Sequence, residues 1–147
     1  MNKMLFNVPK FLCCAALLGC MGCDNSPKRV PVTGMVMIDG KPVTSGFLRV
    51  LPDSGRAAFG EIGSDGRFTL TSSKPSDGCL PGEHLVEIVS VVPISDSSQR
   101  RLIPAIYADP AASKLKVTIP DEPTALKLEL TWNGSGHQGP YVEKFDK

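Results

Sequence analysis

Leu115-Lys116-Val117-Thr118-Ile119 and, a few residues on, Leu126-Lys127-Leu128-Glu129-Leu130-Thr131-Trp132 are the stretches on which the fold turns. In both, apolar side chains fall on every second residue, and the residues between them are charged or hydroxylated. Successive side chains of a strand leave opposite faces, so this is the period of a half-buried β-strand. Slipping either strand by one residue would put Lys116, Lys127 and Glu129 in the core, which pins both registers.

The same period recurs toward the amino terminus. Val32, Gly34, Val36 and Ile38 alternate with Thr33, Met35 and Met37, and the run stops at Asp39-Gly40, a dipeptide that accepts the positive φ angles of a tight hairpin. Phe47 to Leu51 reads as a second strand, ended by Pro52, which has no N–H to give to a ladder. Ala57–Ile62 and Arg67–Leu70 read as a hairpin about Ser64-Asp65-Gly66. Beyond a loop at Lys74–Gly82, His84, Val86 and Ile88 share one face of a strand reaching about Val92, so His84 is expected to face the core. The one candidate turn of helix is Ala108–Ser113. About seven short strands in roughly 100 residues, each with one apolar face, predict an all-β fold: an antiparallel β-sandwich of two sheets packed face to face.

Length and composition agree with one folded domain. The chain has 147 residues, 41% hydrophobic and 21% charged, which is too apolar for a mainly disordered chain. The formal net charge is +1 and basic residues such as Arg100 and Arg101 come only in pairs. There is no basic field to draw in nucleic acid, which is excluded as a partner.

The leader carries Lys3 and Lys10, then an unbroken apolar run from Phe11 to Leu18. Charged-then-apolar is the pattern of an export signal, and the run is far shorter than the ~20 residues that span a hydrocarbon core. The following Leu17-Leu18-Gly19-Cys20 resembles the bacterial lipobox, in which a small residue precedes the cysteine that takes the lipid and becomes the mature terminus. The resemblance implies a lipid-attachment site at Cys20. Cys23 is the second choice, because Cys20-Met21-Gly22 lacks the aliphatic residue three places upstream. A thiolate is a strong enough nucleophile to take an acylglyceryl group without an activating triad. Two or three acyl chains, at about 0.8 kcal/mol per buried methylene, anchor a protein to a bilayer essentially permanently. The chain is thus expected to divide into a signal peptide at 1–19, a lipidated tether at 20–30, a β-domain at 31–132 and a flexible tail at 133–147. The expected location is the cell envelope, lipid-anchored to the inner or outer membrane, with the domain in the periplasm or on the cell surface.

With Cys13 and Cys14 lost in the leader and Cys20 acylated, Cys23 and Cys79 remain. An exported compartment permits them to form a disulfide; two separate thiols is the alternative.

Several stretches carry a family resemblance. Val32-Thr33-Gly34, Asp39-Gly40-Lys41-Pro42-Val43, Gly46, Pro52, Ser64-Asp65-Gly66-Arg67-Phe68 and Pro81-Gly82-Glu83-His84-Leu85-Val86 resemble the carboxypeptidase regulatory-like, transthyretin-like (prealbumin-like) Greek-key β-sandwich group. Ile103-Pro104-Ala105-Ile106-Tyr107-Ala108-Asp109-Pro110, followed by Ser113 and Leu115, is similar to a pattern in small lipoproteins of planctomycete-type bacteria. His84 departs from the pattern, standing where members often have tyrosine. The resemblance implies a non-catalytic accessory or adhesive module.

The residues themselves offer little chemistry. There are two histidines: His84 in a strand, and His137 in a glycine-rich tail. Asn133-Gly134-Ser135-Gly136-His137 has no glycine two places before the serine and no strand-to-helix elbow, so it is not a nucleophile motif. Asp39, Asp65 and Asp77 each precede glycine, as turns require, rather than being spaced through one segment as a calcium loop would need. No cysteine pair faces another, so zinc has no ligand set. No catalytic residue, metal or cofactor is expected, and a small hydrolase is the remotest reading. The candidate interaction patch is Ile106, Tyr107 and Asp109, in the loop between two strands. The expected role is binding of another envelope protein or a polysaccharide, and the alternative is a structural spacer without a ligand. Oligomeric state is not legible.

Overall fold

The computed structural model of the protein describes residues 28–145. The fold is all-β, as expected from the alternation. Each of its elements follows from the local pattern or, in a few cases, from pairing alone.

The first sheet is centred on β1 (Val32–Ile38), with β10 (Thr124–Leu130) on one side and β2 (Lys41–Pro42) and β5 (Arg67–Thr69) on the other. The second has the order β4 (Ala58–Ile62), β3 (Gly46–Leu51), β6 (Gly82–Val89), β9 (Lys116–Ile119), all antiparallel. A third, smaller sheet places β8 (Ser98–Arg101) between β7 (Val91–Ser95) and β11 (Tyr141–Lys144). A short helix, α1 (Pro110–Ser113), follows a single 3-10 turn at Ala105–Ala108.

The facing assignments hold. Val117, Ile119, Leu128, Leu130 and Trp132 are buried, while Lys116, Lys127 and Glu129 are exposed. Val32 and Val36 from the first sheet and Leu48, Val86 and Ile88 from the second lie fully buried in one core. Each such side chain contributes roughly 1.5–3 kcal/mol of burial, most of it offset by chain ordering. His84 is buried as its alternation predicts, with Nε2 2.7 Å from the Leu80 carbonyl oxygen.

Four features differ from the sequence-based expectation. First, the sheets are not wholly antiparallel: β1 and β10 pair in parallel, from Val32 opposite Thr124 to Ile38 opposite Leu130. A parallel pair needs a long connection, and here nearly the whole domain intervenes. Second, the described residues hold eleven strands rather than about seven. Third, the Ala57–Leu70 hairpin divides between sheets: β5 ladders onto β1, and the link back to β4 is reduced to Gly63 N–H donating to the Arg67 carbonyl at 2.8 Å and a bridge between Phe59 and Thr71 just past β5. Fourth, residues 133–147 are not wholly a flexible tail, because β11 pairs with β8. Of the four strands that alternation missed, the two-residue β2 extends the first sheet, and β8 and β11 with the separate β7 make up the third. Ser98-Gln99-Arg100-Arg101 has no apolar face; backbone ladders and the contacts of Glu143 make it a strand.

β1 and β10 run side by side in one direction, so they define two poles. At the start of β1, Val30 forms a two-way backbone bridge with Cys79. At its end, Asp39 N–H donates to the Leu130 carbonyl at 3.0 Å, and Asp39 Oδ2 accepts from Trp132 N–H at 3.2 Å. At about 3.3 Å per residue, the seven residues of β1 separate these poles by about 20 Å.

Candidate functional site

The end-of-strand pole carries the groove that best fits a binding site. One wall is the segment after Ile103. Tyr107 is half-buried against the core, and its hydroxyl accepts from Thr131 N–H at 3.1 Å, tying this segment to the end of β10. Ile106 beside it is 48% exposed and presents its side chain to the groove. Asp109 is the N-cap of α1: its Oδ1 accepts from Ala111 N–H at 2.9 Å and Ala112 N–H at 3.2 Å, with Pro110 in the first turn. Its carboxylate therefore serves the backbone. Of the predicted patch, Ile106 and Tyr107 reach the groove and Asp109 positions the turn behind it.

The opposite wall comes from residues 131–141. Trp132 is buried, and the chain leaves it through a tight turn in which Ser135 Oγ donates to the Trp132 carbonyl at 2.7 Å and accepts from His137 N–H at 3.3 Å. This brings the His137 ring flat onto Tyr141, with centroids 3.7 Å apart and planes 6° from parallel. Tyr141 meets Trp132 edge-on at 6.2 Å and 72°. β11 holds Tyr141 there. Within it, Glu143 Oε2 accepts from Gln99 Nε2 at 2.7 Å and Arg101 Nε at 2.8 Å. The Gln99 bond lowers the Glu143 pKa most; burial opposes this, and Arg101 adds to the lowering.

Between the walls lies a groove of about 350 Å³, lined chiefly by Ile106, Tyr107, Thr131, Asn133, His137 and Tyr141. A volume of this order is at the lower end of the range for small-molecule sites. None of the groove's lining residues is Asp, Glu, Lys or Arg. A larger hollow of about 630 Å³ over β1 and β5, lined by Thr33, Met35, Glu61 and Arg67 among others, is a shallow open trough without an enclosing wall.

Sequence reasoning missed Asn133, His137 and Tyr141, because the glycines around them read as a loose tail. Two rings so close to a turn after a buried tryptophan were the available signal. Neither histidine sits in a nucleophile–base–acid set: His84 is against the Leu80 carbonyl and His137 is stacked on Tyr141. Among the described residues, no group of three or more His, Cys, Asp or Glu side chains is placed to hold a metal.

The other pole is where the chain enters the fold. Asp77 accepts from the backbone N–H groups of Ser72 at 2.6 Å, Ser73 at 3.0 Å and Lys74 at 3.1 Å, and lies 4.0 Å from Arg29 Nε. Burial works to raise its pKa, but these N–H donors and Arg29 outweigh it, so its carboxyl sits below the usual carboxylate range. Cys79 is 1% exposed, burial pushes its thiol pKa up, and it forms no disulfide among the described residues. Cys20 and Cys23, the signal peptide at 1–19 and most of the 20–30 tether lie outside the described residues. No helix among those described is long and apolar enough to cross a membrane. Comparison of the chain with protein-family models, with curated proteins and with solved structures finds no match.

Proposed function

We propose that the protein is a lipid-anchored envelope lipoprotein whose non-catalytic domain, a transthyretin-like, carboxypeptidase regulatory-like Greek-key β-sandwich, holds a binding groove away from the membrane. In this reading acylated Cys20, or failing that Cys23, secures the chain to the inner or outer membrane, and the domain stands in the periplasm or on the cell surface. The ligand is an envelope polymer or protein. The observation that carries the reading is the placement of the poles. The chain enters at Arg29 and Val30, beside Asp77 and Cys79, while the groove lies about 20 Å away at the far end of the parallel pair β1 and β10. A tether at one pole and a groove at the other leave the groove free to meet a partner.

The test is photocrosslinking in intact cells, with a photoreactive residue in place of exposed Ile106 and, as control, in place of exposed Glu83 on β6. Capture of one defined species from position 106 and not from 83, lost when Cys20→Ser releases the chain from the membrane, is the expected result. Equal or absent capture at both positions would leave a structural spacer as the better account. Mass spectrometry of the natural product, expected to show a diacylglyceryl-modified Cys20, tests the anchor separately; an unmodified terminus overturns it.

A further inference from the structure

We infer that the groove between Ile106 and Tyr141 takes an uncharged saccharide; this rests on the binding reading above and narrows it to one ligand chemistry. The lining combines two kinds of group. Thr131 and Ser113 supply hydroxyls, Asn133 an exposed amide, and His137 an exposed imidazole. Ile106 and the stacked rings of His137 and Tyr141 supply apolar contact.

A pyranose has the same two characters: hydroxyls around its rim, and C–H groups that make one face apolar. Aromatic faces carry partial negative charge and attract such C–H groups. His137 is already held parallel to Tyr141, so its outer ring face is a flat wall whose ordering cost on binding is reduced.

The lining disfavours two other ligand classes. A polyanion would need cations, and none of the lining residues is Lys or Arg. A protein partner is usually gripped through a desolvated cluster of Trp, Tyr and Arg. Here Trp132 is buried beneath the wall and Tyr107 is tied to Thr131, which leaves Ile106 as the one exposed large hydrophobic residue in the lining.

Trp132, the only tryptophan, is buried against Tyr141 and does not line the groove, so binding is read by isothermal titration calorimetry, with Trp132 emission as a second signal. The test titrates the purified full chain with neutral hexasaccharides of β-linked glucose, mannose and N-acetylglucosamine, with a uronate hexamer, and with an extended uncharged peptide. The expected result is saturable binding of at least one neutral hexamer and no binding of the uronate. His137→Ala should weaken that binding at least tenfold, while Glu83→Gln, on β6 and outside the groove, should leave it unchanged. Because His137 is exposed, its replacement leaves the fold intact, and unchanged thermal unfolding confirms this in the same samples.

No response to any neutral hexamer, or an affinity indifferent to His137→Ala, overturns the saccharide assignment. Binding of the peptide alone overturns it too, but leaves the binding reading standing. Loss of position-specific capture in cells is what removes that broader reading.

Discussion

The two poles of this domain are built from opposite materials. Where the chain enters, a carboxylate gathers successive backbone N–H groups, a strand bridge ties Val30 to Cys79, and an arginine closes over the loop. At the groove, a glycine-bearing turn and one short strand carry the rings, and the contacts are mostly aromatic. The contrast is sharpest in two glycines with nearly the same φ. Gly78 at φ +82° has the Val30 carbonyl oxygen 1.7 Å from where a Cβ would stand, whereas Gly134 at φ +79° has nothing within 4 Å. One pole is sealed and the other is open. On the proposed function, a tethered domain needs a firm exit from the fold, while a ligand-facing surface keeps room to adjust.

This comparison can be broken most severely at Gly78. Gly78→Val adds both a positive-φ penalty and a collision with the backbone of the Val30–Cys79 bridge. It should cost about 4 kcal/mol in chemical denaturation. A loss below about 1 kcal/mol would show that the entry pole yields and is not sealed.

A smaller effect is expected from Asp77→Asn, about 2 kcal/mol, because three backbone donors lose their charged acceptor and Arg29 loses its partner. The pH dependence has a definite sign. The folded Asp77 pKa is lowered, so its stabilising contribution is complete above the ordinary carboxylate range and is lost as pH falls through the lowered folded value. Thermal unfolding of the two proteins should therefore differ at neutral pH and converge in acid; a gap that widens in acid would contradict the assignment. The mildest change, Gly134→Ala, meets open space and carries only the backbone penalty, about 1 kcal/mol. A cost equal to that at Gly78, measured in the same denaturation series, would erase the distinction between the poles.

Much of the core could be read in advance, and the particular elements show why. Leu128 and Leu130 are buried and Lys127 and Glu129 exposed, as the period of two requires, because each side chain's preference is settled by transfer from water and needs no knowledge of its neighbour. The Asp39-Gly40 turn joins β1 to β2 with positive φ at both residues, 45° and 78°. The third sheet escaped the same reasoning. β8 is Ser98-Gln99-Arg100-Arg101 and β11 is Tyr141-Val142-Glu143-Lys144; neither stretch has the sustained alternation of a half-buried strand, and each is a strand because the other supplies its ladder.

The groove was half legible for a related reason. Ile106 and Tyr107 stood out as large side chains in a loop, whereas His137 and Tyr141 lay among glycines that signal freedom rather than position.

The residue order alone determined the all-β class, the inward faces of the principal strands and the turn at Asp39-Gly40. Those features depend on local chemistry: alternation and backbone φ. The parallel seating of β1 on β10, the strand added by the last residues, and the closing of Tyr107, His137 and Tyr141 around one groove depended on tertiary structure. They join segments far apart in the chain, and such pairings are chosen by the global fit of ladders and rings, for which no single stretch carries a sign.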